Sequence, residues 1–376
     1  MSGHFFRAAF GLGDHWGLAA KACLDGLAVR DAPDALGFVY VTQAFAGDLG
    51  SIVTFLRETT HVQNWVGGVG FGVVAGGGEI HEGGGVSVLL ADFPPETWRL
   101  FDEVGPDFAT RHGAWMESGR PSLALVHGNP LLPELTRRIV ELARDSGCFL
   151  VGGLTVDPGT GRQVAGRLVG DGLSGVMLSS RVPLVTGLTQ GCTPIGEAHV
   201  VTESVESVVI SLDGRPALDV LKDDVGEILA RDLRRVAGYI HAAIPIAGSD
   251  TADYLVRNLV GIDPSRGWLA IGAQVRAGEK LIFVRRDPNA AHEDLERMCA
   301  HLRDRLEGRA IRGGVYVSCV ARGAHMFGSP GAEVATIHRV LGDFPLTGFY
   351  ANGEISLDRF YAYTGVLTLF PRDDDP

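Results

Sequence analysis

The sequence predicts a mixed α/β protein of α+β character, in which βαββ or βαβαββ units repeat. These units form mixed sheets packed together with helices outside and give the fold an internal pseudo-symmetry. Three observations carry that expectation. Apolar residues make up 45% of the 376 residues, enough for a sizeable core. Glycine contributes 52 residues, about twice its ordinary share, with no G-X-Y period. Short apolar runs of strand length also alternate with segments whose apolar residues recur at helical spacing.

The elements follow in order. Phe6–Leu12 reads as a strand, Trp16–Leu27 as a helix, Leu36–Val41 as a strand and Leu49–Arg57 as a helix. Trp65–Val74 and Gly85–Phe93 follow as two more strands, giving βαβαββ. The same order returns near the C-terminus, with strands at Leu281–Arg285, Gly314–Val320, Leu346–Ala351 and Tyr361–Phe370, and helices at Glu293–Leu306 and Glu333–Leu341. A shorter copy lies between them: strand Ser122–Val126, helix Leu132–Arg144, strands Cys148–Val156 and Leu173–Ser179. In each copy the strand after the helix carries glycine, at Gly67-Gly68, Gly152-Gly153 and Gly348. A unit used three times explains that recurrence. The short loops before each last strand predict antiparallel hairpins and two mixed sheets packed face to face. Val182–Leu212 reads as strands and loop, Asp213-Gly214 as a turn, and Ala217–Ala243 as helical. The dense glycine block, ten residues between Gly67 and Gly85, reads as one hairpin.

Charge and composition exclude several functions. The net charge is −12 and no basic run occurs, so nucleic acid is a poor partner. No apolar stretch reaches the roughly 18 residues that a membrane span needs, and Met1–Trp16 has no basic region leading into an apolar core. The five cysteines are scattered and form no C-x-x-C pair, which fits reduced thiols in the cytoplasm.

Several stretches carry candidate chemistry. Gly11-Leu12-Gly13-Asp14-His15-Trp16-Gly17 resembles a dinucleotide turn, although the following strand ends in Thr42-Gln43 and lacks the acidic residue that would hold a ribose. There is no phosphate-binding G-x-x-x-x-G-K-[ST] loop and no G-x-S-x-G elbow. The twelve histidines form no helical metal pair; His81 and His325 sit in glycine loops, where each is either solvated or a haem ligand. Three segments look less like scaffolding: Gln190–Gly196, with Cys192 at a tight bend; Ser318–Gly323, where Arg322 ends an apolar strand; and Gly348–Ile355, ending in Asn352-Gly353-Glu354. A guanidinium fork there suits a carboxylate, and local structure is the competing explanation, with Arg322 pairing Glu354.

These segments closely resemble the FIST family, named for F-box and intracellular signal transduction proteins. The resemblance rests on Gln190–Gly196, Leu212–Ala217, Tyr254–Leu259 with Gly261–Pro264, Ser318–Gly323, Phe327-Gly328 and Gly348–Ile355, in that order. It implies a FIST N-terminal domain over 1–212, a FIST C-terminal domain over 213–372 and an acidic tail over 373–376. It also implies a non-catalytic sensory protein that binds a small, amino-acid-like ligand and signals through a separate partner, such as a kinase or a chemotaxis component. Cys192, Cys319, Arg322, Gly323, Asn352 and Glu354 would line or support the pocket, near the junction of the two halves. Arg322 would pair a ligand carboxylate, and Asn352 and Glu354 would hold its amine or amide. The alternatives are a haem-binding nitric oxide sensor, as some relatives are described, and a thiol-dependent or nucleotide-dependent enzyme using Cys192 or Cys319.

Overall fold

A computed structural model describes residues 5–29, 31–156, 162–230, 239–246 and 253–373. The chain forms two compact units. One comprises Met1–Gln190 with His292–Pro376, and the other Gly191–Ala291.

The first unit is built from one pattern used three times. Each repeat has an edge strand, a helix, a lead strand, a second helix, a partner strand, a two-stranded hairpin and a closing strand. In the first repeat the lead, partner and closing strands are Leu36–Thr42, Asn64–Gly70 and Gly85–Ala91. In the second they are Pro121–Gly128, Phe149–Leu154 and Leu173–Ser179. In the third they are Ile311–Cys319, Leu346–Ala351 and Thr364–Pro371. Lead and partner strands run parallel, joined by a helical crossover, and the closing strand lies antiparallel on the lead strand. The edge strands Phe6–Leu12, Trp98–Phe101 and Val185–Gln190 each pair with their own closing strand.

The hairpins are exchanged. Gly72–Ala75 of the first repeat pairs with the partner strand of the third. Gln163–Ala165 of the second pairs with the partner strand of the first, and Glu354–Leu357 of the third with that of the second. The loan is cyclic and yields three six-stranded mixed sheets. A common core receives Phe38 and Tyr40 from the first, Leu125 and Val151 from the second, and Val317 and Phe349 from the third. Helices cover the outer faces of the first two sheets, with Ala20, Ile52 and Leu56 on Val39 and Val41, and Ile139 and Leu142 on Val126 and Leu154.

The recurrent glycine has one physical cause in all three repeats. Gly67, Gly152 and Gly348 have φ of 151°, 142° and 155°. A Cβ on them would lie 1.8, 1.9 and 1.7 Å from the carbonyl oxygens of Val39, Val126 and Tyr316, their register partners on the lead strands. Only glycine lets the strands approach this closely.

Four expectations are corrected. The first unit holds three sheets, not two. The last strands of each repeat are not hairpin partners, because the lead strand separates them and the intervening hairpin leaves for another sheet. Trp65–Val74 accordingly breaks at Phe71, where the chain passes from its own sheet to the next. The third repeat's edge strand is Val185–Gln190; Leu281–Arg285 lies in Lys280–Arg286, a strand of the second unit. That unit interrupts the third repeat in sequence. The middle copy is complete, with edge strand Trp98–Phe101 and helix Phe108–Gly119.

The second unit is an antiparallel sheet. Pairings among His199–Val205, Val208–Leu212, Trp268–Ile271, Tyr254–Asp263, Ile240–Pro245 and Lys280–Arg286 close into a ring. Leu218 and Leu221 of the helix Ala217–Ala230 pack against Val201, Leu212 and Phe283. The helical expectation for Ala217–Ala243 ends earlier: residues 231–238 lie outside the described residues and Ile240–Pro245 is a strand. Asp213 and Gly214, both at positive φ, make the expected turn.

Candidate functional site

At equivalent register positions the three lead and partner strands carry different side chains. Val39, Val41 and Val69 face the helices of the first repeat, and Val126, Gly128 and Leu154 stand at the same places in the second. In the third repeat those places hold Tyr316, Ser318 and Tyr350. The helix above them, Ala332–Leu341, buries Glu333 completely among its apolar neighbours.

Glu333 organises the layer. Its carboxylate accepts from Tyr316 Oη at 2.6 Å, Ser318 Oγ at 3.0 Å, Tyr350 Oη at 3.2 Å and Arg322 Nε at 2.7 Å. Burial followed by this carboxylate's charge pushes both tyrosine hydroxyls well above their ordinary range. Room for Tyr316 comes from Gly365, whose Cβ would sit 2.3 Å from the tyrosine oxygen. Leu173 and Val86 hold that place on the other closing strands.

Arg322 follows the lead strand and is 1% exposed. Its guanidinium lies 5.1 Å from the Phe327 ring centroid. Burial works against its charge, but Glu333 beside it more than offsets that and holds its pKa above the ordinary value. Nη1 and Nη2 have no hydrogen-bond partner. The hairpin borrowed from the first repeat adds Glu79, whose side chain is fully buried, with His81 Nε2 at 3.0 Å. Burial raises the Glu79 pKa, yet its hydrogen bonds, that with His81 first, leave it below the usual carboxylate range. The His81 ring lies 4.3 Å from that of Tyr350, and its atoms stand 3.4 Å from where a Gly323 Cβ would be.

The sequence-predicted residues distribute as follows. Arg322, Gly323, Cys319 and Glu354 are buried in the first unit, and Asn352 is exposed there. Cys192 belongs to the second unit, on Cys192–Pro194, where its carbonyl accepts from Tyr254 Oη. The ion pair expected between Arg322 and Glu354 is instead Arg322–Glu333. Glu354 Oε2 accepts from Thr364 N at 3.1 Å and Thr364 Oγ1 at 2.7 Å, and Oε1 has no partner. Sequence reasoning passed over Tyr316, Glu333 and Glu79. Only Tyr316 carries a signal, a hydroxyl-bearing residue between Val315 and Val317, legible once the repeats are aligned on Gly67, Gly152 and Gly348.

Other candidates resolve into structure. Gly11 seats a helix, since its Cβ would lie 1.9 Å from Ala19 O, and Phe6–Leu12 is an antiparallel edge strand, so this is not a Rossmann turn. The Gln190–Gly196 motif supplies Gly196, whose Cβ would collide with the Asp224 carboxylate at 2.4 Å. Asp224 in turn joins Asp213 in holding His199, at 2.9 and 2.6 Å. The buried His127 is hydrogen-bonded to Tyr40 at 3.0 Å with Phe349 beside it, and His112 packs on Phe108. Both are core side chains, which does not fit an axial haem ligand. Among the described residues no group of three or more His, Cys, Asp or Glu is placed to hold a metal ion. Burial, with the Glu354 charge next, pushes the Cys319 thiol far above its ordinary value, opposite to what a nucleophile needs.

Comparison with known proteins agrees with the sequence motifs. The FIST N domain family matches residues 35–215 and the FIST C domain family residues 217–356. An uncharacterized protein of Mycobacterium tuberculosis, Rv0628c, is 31% identical over 389 residues, covering 92% of this chain and 99% of its own. An uncharacterized protein of Mycobacterium bovis, Mb0898c, is 31% identical over 377 residues, covering 94% and 95%. With both domains matched in order along most of its length, the chain belongs to the FIST family.

Proposed function

We propose that the protein is a small-ligand sensor whose site is the polar layer of the third repeat, with Arg322 holding a carboxylate of the ligand. FIST domains are sensory domains of signal transduction, and this reading adds a place and a contact. The observation that carries it is the buried, unpartnered edge of the Arg322 guanidinium. Burying such donors without acceptors costs about 1–3 kcal/mol or more, and two sister repeats build the same fold without them. A carboxylate meets the two free nitrogens in the bidentate geometry that arginine favours. Binding shifts a signalling equilibrium only through unequal affinity for two states of the protein, and the output passes to a separate partner such as a kinase or a chemotaxis component. Binding without turnover fits the raised thiols: burial pushes Cys23 and Cys299 up to about 12 and Cys148 up to about 11. The five buried free cysteines are also what a reducing cytoplasm leaves. Among the described residues no helix is long and apolar enough to cross a membrane.

The test is a thermal-shift screen of small carboxylates on the wild-type chain and on Arg322→Ala. The expected result is a ligand-induced shift in the wild type that the variant lacks; an equal shift in both removes the arginine's role.

A further inference from the structure

We propose that Glu354 serves this site as a neutral hydrogen-bond donor, completing with the free edge of Arg322 a donor-only cradle for a carboxylate. The inference rests on the ligand-binding reading above and reverses the role that the sequence resemblance implies for Glu354, that of holding an amine.

Arg322 is already matched by Glu333, which is itself satisfied by three hydroxyl donors and the guanidinium. Glu354 is fully buried and interacts electrostatically with Arg322. An ionised Glu354 would bury a charge whose Oε1 receives no hydrogen bond and to which Arg322 offers neither Nη1 nor Nη2, a cost that a buried acid avoids by keeping its proton. Burial pushes Glu354 up to about 8, against the opposing pull of two Thr364 hydrogen bonds, the Arg322 charge and the Cys319 thiol. The position of the proton follows from the geometry. Oε2 already accepts from Thr364 N and Oγ1, so the hydrogen belongs on Oε1, the oxygen without a partner. The unpartnered polar atoms of Arg322 and Glu354 are then all donors, and their complement is an acceptor group with two oxygens.

The repeats supply a second, independent observation. The position opposite Gly153 on the borrowed hairpin is Glu354, and the equivalent position opposite Gly68 is Gln163. Gln163 is fully buried, accepts from Ser174 Oγ at 2.5 Å through Oε1 and donates to Gly172 O at 3.1 Å through Nε2. One arm accepts and the other donates, which is the pattern of a protonated glutamate. The titratable and charged groups facing Glu354 are Arg322 and Cys319 at the end of the lead strand and Tyr361, its register partner. The second repeat's partner strand presents Gly153.

A bound carboxylate keeps the proton on Glu354, so binding weakens as pH rises past the point where the free protein loses it. The probe is propionate, with propylamine as the cationic control, titrated by NMR or calorimetry between about pH 6.5 and pH 9.5. The expected wild-type result is constant propionate affinity up to about pH 8, then a fall of about tenfold per pH unit. Glu354→Gln should bind propionate with no such fall, because its amide donates in the same place and does not ionise. In the ligand-free protein at neutral pH, the infrared band of a protonated carboxyl group should be present in the wild type and missing in Glu354→Gln. Propionate affinity that is flat or rises through pH 8 overturns the proposal. So does the same fall in Glu354→Gln, a preference for propylamine, or a missing carboxyl band. Failure of the underlying site looks different: propionate then binds neither protein, or binds the double variant Arg322→Met/Glu333→Gln as well as the wild type.

Discussion

The first and third repeats follow the same order of strands and helices, and their lead and partner strands meet at the same forced glycine. Under the helices of the first repeat lie Val39, Val41 and Val69, an aliphatic layer packed like the rest of the core. The third repeat places Tyr316, Ser318 and Tyr350 there, beneath a buried glutamate and beside a buried arginine. The fold therefore requires the glycine and not the polar layer. Buried ion pairs gain little over well-packed apolar side chains, and many cost stability. A protein that keeps such a network in one repeat of three gains something other than stability from it, and that is the ground for the ligand site proposed above.

The largest expected effects test whether the repeats are equivalent at all. Gly67→Ala, Gly152→Ala and Gly348→Ala each force a methyl group into a backbone carbonyl, so the strands must separate. Each should cost about 4 kcal/mol or more, the range reserved for severe core damage, read from denaturant midpoints. Tolerance of Gly348→Ala alone would break the equivalence.

Next in size is Glu333→Leu, which strands the Arg322 charge in the core and should cost about 3–5 kcal/mol. The double variant Arg322→Leu/Glu333→Leu should recover most of that loss, and a double-mutant cycle measures the recovery. A double variant as unstable as the single one would mean that the network is needed for folding, and the comparison with the first repeat would fail.

Opposite in sign to each other are two pH dependences. Glu354 keeps its proton to a higher pH when folded than when unfolded, so stability declines as pH rises from about 4.5 to about 8 and is level above that. Glu354→Gln should flatten that decline. His127, held neutral in the core with its pKa pushed down to about 3, works on the acid side. Its contribution is intact above about pH 6.5 and is lost progressively as pH falls toward 3, because only the unfolded chain takes up the proton. Urea melts of the wild type and Glu354→Gln across the pH range separate the two, because the loss on the acid side persists in the variant. The least effect is expected on Cys319, whose alkylation in the folded protein should be slow beside the same thiol in denaturant; rapid labelling would revive the thiol-enzyme reading.

The part of this arrangement that sequence made legible is the part that is local. Gly67, Gly152 and Gly348 mark the repeats because one steric demand acts at one position in each. Arg322 stands out because a charge ends an apolar strand. Other features depend on contacts distant in sequence. The hairpin Gly72–Ile80 looks like part of its own repeat and docks on another, bringing Glu79 with it. The third edge strand, Val185–Gln190, is cut off in sequence from its helix by the second unit, and the apolar run Leu281–Arg285 stands next to that helix in its stead. Arg322 had two acidic residues within reach, and the nearer in sequence, Glu333, holds it from the helix above, while Glu354 turns to Thr364. Helical periodicity alone gave no reason to turn Glu333 inward.

The most direct measurement is a crystal structure of the wild-type chain with the carboxylate that gives the largest thermal shift. The account expects both ligand oxygens within hydrogen-bond distance of Nη1 and Nη2 of Arg322, with the Arg322–Glu333 pair intact. A carboxylate bound elsewhere, with the arginine's free edge still unpartnered, would contradict it.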